Sequence, residues 1–322
     1  MRSLIKILFI YILFAFVLSS CGGGEDTRKI FFVNSYHDGY PSSDGVMIGI
    51  QETLAGKDID LEIFYMDTKR NPEEDQIKGK VREALKKIEQ FSPDVIIASD
   101  DNAVKYLVAP YLDTAGVPVV FCGVNWSAEQ YGLGKNITGI LEVSPLRECI
   151  STIKRQNLDI NHITVLSENT TSEKNNTVLL DTLYRNLGFD VDYRLVYDFK
   201  QWKTAFEEAS LLTHLIFLPT NRAIRGWNRE EAMQFVAENI KVPIITCDDF
   251  MMDYAVFGLT KVFQEQGEWA ATTSLRIMEG TSPSSIPITR NSQFRTYLNR
   301  NLAKRIGFEL HEVPPGEYVE LK

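Results

Sequence analysis

Short apolar runs alternate with helical patterns along this chain, and the alternation limits the folds that are open to it. Ile30–Val33, Leu61–Met66 and Asp94–Ala98 are β-prone runs of four to six residues. The stretch Glu73–Phe91 lies between the last two and carries an apolar stripe at helical spacing, formed by Ile77, Val81, Leu85 and Ile88. Strands that alternate with helices predict a parallel sheet covered by helices on both faces.

The second half of the chain repeats the scheme of the first. Asp94–Ala103, a helix and then Val117–Cys122 parallel Leu215–Ala223, a helix and then Val242–Cys247. The chain has 322 residues, which is more than one compact core usually takes. The pattern therefore predicts two similar α/β lobes rather than one long sheet.

Two helix ends can be read from the sequence. Leu179, Leu183 and Leu187 lie in register and predict a helix that closes at Gly188, a residue suited to the left-handed position after a helix. Ser99–Asn102 can cap a helix that begins at Ala103. Asp100 is for that reason as good a candidate for a helix cap as for a ligand contact.

The amino terminus has the layout of a lipoprotein signal. Two basic residues precede the apolar run Ile7–Leu18, which is short for a bilayer span. The following Leu18–Cys21, Leu-Ser-Ser-Cys, resembles the bacterial lipobox. We predict that residues 1–20 are a signal peptide, that Cys21 is lipidated and that 21–27 form a flexible tether. The alternative is an ordinary signal peptide followed by an incidental cysteine.

Charge and cysteine usage exclude some classes of partner and site. The net charge is −9, and removal of the two basic residues of the signal makes it −11, which argues against nucleic acid or a polyanionic surface as partner. Cys122 and Cys247 lie in apolar strand-like runs and are predicted to be core thiols, and no disulfide framework is expected. The four histidines lack metal-ligand spacing, so no metal site is predicted.

Common catalytic signatures are missing from the sequence. It contains no GxSxG, HExxH or GxxxxGK[ST] motif, and no GxGxxG after a strand. Asp248-Asp249 could form a paired acid, but no partner nucleophile or base can be identified for it. We therefore expect no catalytic residue and no cofactor.

Polar residues recur at the carboxyl ends of the predicted strands. In two facing lobes such ends line a cleft in which a small ligand can be held. The candidate ligand contacts are Tyr36, His37, Ser99, Asp100, Asn125, Trp126, Asn169, Thr170, Asn221 and Asp248. His37 could instead be a surface loop residue, and Trp126 could pack within its lobe rather than form a platform for a ligand.

From Arg28 to Phe308 the chain resembles the substrate-binding proteins of ABC transporters that have the type I periplasmic-binding fold. It is most similar to the group that includes lipoproteins binding tryptophan and other aromatic amino acids. No single motif carries the resemblance, which lies in the order of the matching stretches. These are Ser92–Ala98, Val117–Phe121, Asn136–Gly139, Glu168–Thr171, Leu187-Gly188, Lys241–Ile244, Phe257–Leu259, Ile277–Gly280, Ser285–Pro287 and Asn299–Gly307.

The resemblance implies two doubly wound parallel-sheet lobes joined by a three-strand hinge, with a ligand trapped when the hinge closes. Residues 28–141 plus 257–289 would form the first lobe, and 142–256 plus 290–322 the second. The chain would cross between the lobes at Gly139–Val143, Tyr254–Leu259 and Thr289–Phe294. The loops that carry the candidate contacts would then face the ligand.

Three functions are compatible with these features. The leading hypothesis is a non-enzymatic, lipid-anchored solute-binding protein of the cell envelope, which delivers a small molecule to an ABC permease. The first loop, Asn34–Tyr40, is similar to a branch fused to or encoded beside sensor histidine kinases, so a ligand-sensing module read by a membrane kinase is the second. The third is an envelope hydrolase that uses Asp248 and Asp249, or His37.

Overall fold

The computed structural model describes residues 27–156, 159–311 and 317–321. The predicted signal peptide, with Cys21 and nearly all of the tether, lies outside the described residues. In the part of the chain that is described, no helix has the length and apolar character needed to cross a membrane.

Strands and helices alternate through most of the chain. The strands are β1 (Arg28–Asn34), β2 (Ile59–Tyr65), β3 (Val95–Ser99), β4 (Val119–Asn125), β5 (Ile137–Glu142), β6 (His162–Glu168), β7 (Asp190–Val196), β8 (Leu215–Phe217), β9 (Ile244–Thr246), β10 (Phe257–Lys261), β11 (Thr289–Arg290), β12 (Phe294–Asn299) and β13 (Glu317–Leu321). The helices are α1 (Pro41–Leu54), α2 (Glu74–Phe91), α3 (Asp100–Ala103, continued by a π-helix over Val104–Leu112), α4 (Leu146–Lys154), α5 (Thr171–Asn186), α6 (Phe199–Leu212), α7 (Arg229–Asn239), α8 (Phe263–Met278) and α9 (Arg300–Arg305).

The strands form two separate sheets, which confirms the predicted fold class. The first lobe contains a sheet in the order β11-β5-β4-β3-β1-β2, and all of its pairings are parallel. The second lobe contains the sheet β13-β12-β10-β9-β8-β6-β7. This sheet is parallel apart from the antiparallel pair of β10 and β12.

The core of the first lobe follows from the apolar run in β1. Ile30–Val33 are completely buried, as expected for a strand covered on both faces. Phe31 and Val33 pack with α2 and the π-helical segment on one face, while Ile30 and Phe32 pack with α1 and α8 on the other. A third apolar cluster fills the second lobe.

The structure moves one of the predicted lobe boundaries. The chain crosses between lobes after β5 and again between β11 and β12, close to the first and third crossings expected from the sequence. The second crossing, expected at Tyr254–Leu259, lies instead between Lys261 and Phe263. Residues 257–261 form β10, which pairs with β9 and β12 and therefore belongs to the second lobe.

Polar side chains tie the three crossings together. The Asn291 amide accepts a hydrogen bond from the Val143 backbone N–H (2.7 Å) and donates one to its carbonyl (3.2 Å). The buried carboxylate of Glu265 accepts hydrogen bonds from the backbone N–H groups of Ser292 and Gln293. The first turn of α8 and the first and third crossings therefore form one hydrogen-bonded hinge.

The described cysteines are buried thiols. Cys122 and Cys247 lie in the core, as predicted, and Cys149 is buried as well. Burial raises the pKa of the Cys122 thiol to about 12, so this group stays protonated. Within residues 27–156, 159–311 and 317–321, no three His, Cys, Asp or Glu side chains are grouped so that they could hold a metal ion.

Candidate functional site

A cavity of about 160 Å³ lies between the two lobes and is lined by residues of both. One water molecule needs only about 10–15 Å³ of such a cavity, so the space accommodates a small organic molecule. We call it the interlobe cavity. Five of the ten predicted contacts line it, namely Tyr36, Asp100, Asn125, Trp126 and Asp248.

The first loop is fixed by hydrogen bonds to the neighbouring strand ends. The Ser35 hydroxyl donates to the carbonyl of Ser99 (2.7 Å), and the Thr68 hydroxyl donates to the carbonyl of Ser35 (2.8 Å). The Tyr36 hydroxyl in turn donates to the carboxylate of Asp100 (2.9 Å). Tyr36 is therefore held in a defined orientation at the wall of the cavity.

Asp100 is a buried, strained residue, and its side chain does not cap the helix that it opens. Its φ is +78°, a left-handed conformation that costs most residues about 1 to 3 kcal/mol. Its side chain is 9% exposed and accepts the hydrogen bond from Tyr36. Burial, followed by the negative charges of Asp101 and Glu142, raises the pKa of this carboxyl to about 8. Such a combination of strain and desolvated charge is typical of a functional site.

Asn125 and Trp126 extend from the end of β4. The Asn125 amide donates to Asp101 (2.6 Å), and the Trp126 backbone N–H donates to the carbonyl of Glu142 (3.1 Å). Trp126 has a φ of +61°, an unusual conformation for a bulky residue. Its side chain lines the interlobe cavity and packs against the apolar cluster of the second lobe. Trp126 thus connects the two lobes rather than packing only within its own.

A buried ion-pair triad lies where the hinge borders the interlobe cavity. The Lys261 ammonium is 2.7 Å from Glu142 of the first lobe and 3.1 Å from Asp248 of the second. Burial alone would lower the pKa of Lys261, but the two carboxylates outweigh it and raise the pKa above its ordinary value. Lys261 therefore remains charged and joins the lobes electrostatically.

The other five predicted contacts do not line the interlobe cavity. His37 lies 3.5 Å from Asp67, and Ser99 uses its carbonyl to hold the first loop. Thr170 caps α5, since its hydroxyl accepts a hydrogen bond from the Glu173 backbone N–H. Asn169 has a buried side-chain oxygen without a hydrogen-bond partner in the described part of the chain. Asn221 borders a neighbouring cavity of the second lobe instead.

The predicted contacts did not include Lys69 and Tyr40, which lie next to each other on the first-lobe side of the interlobe cavity. The Lys69 ammonium lies 5.3 Å from the centre of the Tyr36 ring and 5.6 Å from that of Tyr40. The two rings are 4.8 Å apart. Both residues follow the end of a strand, which is the same signal that identified Tyr36.

One face of α5 was also missed. Glu173, Asn176, Thr177, Leu180 and Tyr184 line the cavity from the second lobe at spacings that place them along one side of the helix. The sequence placed Leu179 in the apolar stripe of this helix, but its side chain is 54% exposed. The apolar stripe was assigned to the wrong side of the helix, because the side that lines the cavity includes the polar residues Glu173, Asn176 and Thr177. The predicted end of the helix is correct, because Gly188 adopts a φ of +82°.

Two lobes with parallel sheets, joined by three crossings around a cavity, are the architecture of the type I periplasmic-binding fold. The family model for ABC transporter substrate-binding proteins matches residues 37–313, and the chain belongs to this family. None of the curated proteins matches the chain.

Solved structures share the fold at low sequence identity. A ligand-free, open substrate-binding protein with adhesive properties from Clostridium difficile is 16% identical and has a TM-score of 0.70, with 92% of this chain and all of that one covered. A domain from Streptococcus pneumoniae in complex with L-Trp is 17% identical, with a TM-score of 0.65 and coverage of 89% and 97%. A solute-binding protein from Actinobacillus succinogenes with bound D-allose is 14% identical, with a TM-score of 0.60 and coverage of 84% and 96%.

Proposed function

We propose that this protein binds a small molecule in the interlobe cavity and delivers it to an ABC permease, and that a lipid on Cys21 holds it at the outer face of a membrane. The observation that carries the proposal is the position of the cavity, which has walls from both lobes and the Lys261 triad at its hinge. Closure of the lobes would bury a ligand on all sides. The hydrolase hypothesis gains little support from this geometry, because neither His37 nor Asp249 lines the cavity and Asp248 forms an ion pair with Lys261.

A bulky side chain that fills the interlobe cavity should abolish binding of the ligand. Thr177 lines the cavity, whereas the next residue of α5, Val178, is 79% exposed. We expect native mass spectrometry of the purified protein to show a co-purified small-molecule adduct. Thr177→Trp should lose the adduct because the indole fills the cavity, and Val178→Trp should keep it. An adduct that survives Thr177→Trp would place the ligand elsewhere, and the absence of any adduct would count against the proposal.

The lipid anchor is tested by removal of the thiol that would carry it. Cys21→Ser should prevent lipidation, so the protein should move from the membrane fraction to the soluble fraction of the cell envelope. Cell fractionation followed by intact-mass measurement would follow both changes, with Cys122→Ser as a control because that thiol is buried in the core. Retention of processed Cys21→Ser protein in the membrane fraction would refute the anchor.

A sensory role remains the second candidate. The first loop, Asn34–Tyr40, favours it through its similarity to the branch associated with sensor kinases, and Tyr36 and Tyr40 of this loop line the cavity. Ligand-induced closure would then be read by a membrane kinase in place of a permease. A kinase gene beside the gene for this protein, without permease genes, would favour this role, and the reverse arrangement would favour transport.

A further inference from the structure

Acidic side chains outnumber basic ones in the lining of the interlobe cavity. Two lysines, Lys69 and Lys261, line it. They face a larger set of acidic residues that also line it, which comprises Asp100, Glu142, Glu168, Glu173 and Asp248. Since Lys261 is shared by Glu142 and Asp248, three carboxylates and one ammonium remain for other partners.

The three remaining carboxylates are buried without an ion pair. Asp100, Glu168 and Glu173 are 9%, 1% and 7% exposed, and no Lys, Arg or His of the described residues lies within ion-pair distance of any of them. Buried carboxylates are costly unless they are paired with a cation or hydrogen-bonded. The cavity therefore contains three acidic side chains for which the described part of the protein supplies no ion-pair partner.

Hydrogen bonding separates Glu173 from the other two. Its carboxylate accepts hydrogen bonds from Ser167 (2.7 Å) and Asn176 (2.9 Å), one on each oxygen. Glu168 accepts a single hydrogen bond, from the Ala223 backbone N–H (2.6 Å), and Asp100 a single one from Tyr36. Among the described residues, Asp100 and Glu168 thus each retain an oxygen without a donor, one on each lobe.

The aromatic wall beside these carboxylates already holds a positive charge. The Lys69 ammonium lies over the rings of Tyr36 and Tyr40, an arrangement that favours cations. Burial alone would lower the pKa of Lys69, but Tyr40 and the charges of Glu168 and Asp100 outweigh it and raise this pKa. The two carboxylates therefore act on the same region of the cavity. The fully buried Tyr184 hydroxyl also lines the cavity and has no hydrogen-bond partner in the described chain.

We infer that the solute is a small organic cation whose protonated amino group binds between Asp100 of the first lobe and Glu168 of the second, beside the tyrosine rings. This inference rests on the proposed function, since it assigns a ligand class to the same cavity. A protonated amine would donate hydrogen bonds to the unpaired carboxylate oxygens of both lobes. Binding would therefore favour closure of the lobes. A carboxylate on the ligand would find Lys69 as the one unpaired lysine in the described lining and would lie close to the unpaired acids.

Two series of compounds that share a skeleton but differ in charge test the inference. Putrescine, γ-aminobutyrate and succinate share a four-carbon chain, and tryptamine, tryptophan and indolepropionate share an indole. Titration calorimetry with the whole protein should show that the amine binds more tightly than its zwitterion by roughly tenfold or more, and that the acid binds least. Tighter binding of a zwitterion or an acid would overturn the inference.

Two substitutions in the cavity, with one exposed control, separate the ligand class from effects on folding. Glu168→Gln retains an acceptor for Ala223 and should weaken amine binding by roughly tenfold or more, whereas the exposed Glu207→Gln should not. Lys69→Met should tighten amine binding, because it removes a like charge from beside the bound amino group. Loss of binding in Lys69→Met would indicate instead that Lys69 holds an anionic group of the ligand.

The outcomes distinguish the inference from the function on which it depends. If the protein carries a native adduct that Thr177→Trp removes but binds none of the amines, the inference is wrong and the binding function stands. If there is neither an adduct nor binding of any compound, the binding function itself fails.

Discussion

Replacement of Gly267 by alanine is expected to lower the free energy of unfolding by roughly 1 to 3 kcal/mol, the range for overpacking a tight interior contact. Helices α1 and α8 cross with their backbones in contact at this residue. A methyl group on Gly267 would meet the backbone oxygen of Val46 and lie 2.9 Å from the nitrogen of Ile50. No flexible side chain can yield there, so the helices would have to separate.

A second glycine provides the control. Gly79 lies in α2, where an added methyl group would meet only the end of the Arg82 side chain, at 3.9 Å. Alanine is the better helix former, so Gly79→Ala should stabilise the protein by about 0.5 to 1 kcal/mol. Urea unfolding followed by circular dichroism would measure both variants against the original protein. Equal effects of the two substitutions would show that the α1–α8 crossing relaxes without cost.

The α1–α8 crossing also has a functional consequence. Helix α1 begins directly after the first loop, which carries Tyr36 and Tyr40, and α8 begins directly after Lys261 at the hinge. Gly49 makes the reciprocal approach, because a methyl group there would lie 2.8 Å from the backbone nitrogen of Glu268. Close packing of the two helices fixes the tyrosine wall of the cavity relative to the hinge.

The fold could be predicted because its signals are local. Ile30–Val33 has the length and composition of a strand buried on both faces, and it is completely buried. Alternation with amphipathic helices then leaves few arrangements besides parallel sheets. The position of β10 could not be read in this way, because a short apolar run does not specify which of two sheets it joins. Pairing with β9 and β12 decides it.

The site was only partly predictable for a related reason. The rule that ligands bind at the carboxyl ends of parallel strands led to five residues that line the interlobe cavity, namely Tyr36, Asp100, Asn125, Trp126 and Asp248. The same rule applies to Glu142, Glu168 and Lys261, which end β5, β6 and β10, yet these charged residues resemble ordinary surface positions in the sequence. Their burial depends on how the two lobes pack together, which the local sequence does not specify. The polar face of α5 gives no local signal at all.

Substitution of Asp100 by asparagine is expected to stabilise the unliganded protein, and the gain should grow with pH. An aspartate has a pKa of about 3.9 in an unfolded chain, whereas that of Asp100 in the folded protein is about 8. The folded state binds the proton more tightly, so stability is fully present below pH ~4 and is lost as the pH rises toward 8. Asparagine cannot ionise and still accepts the hydrogen bond from Tyr36. The gain should therefore be about 1.5 kcal/mol at pH ~5 and about 5 kcal/mol at pH ~8.

Urea unfolding of both proteins at these two pH values measures the gain, with Glu129→Gln as a control because this carboxylate is exposed. Asp101, Glu142 and Lys69 act on Asp100 in both measurements, so only the pH dependence of the difference isolates its own ionisation. A gain that is the same at both pH values would show that Asp100 is ionised throughout. The same substitution should weaken binding of an amine, since it removes the charge that the cation would meet. A residue that lowers stability while it strengthens binding is the trade-off expected where a buried charge is retained for function.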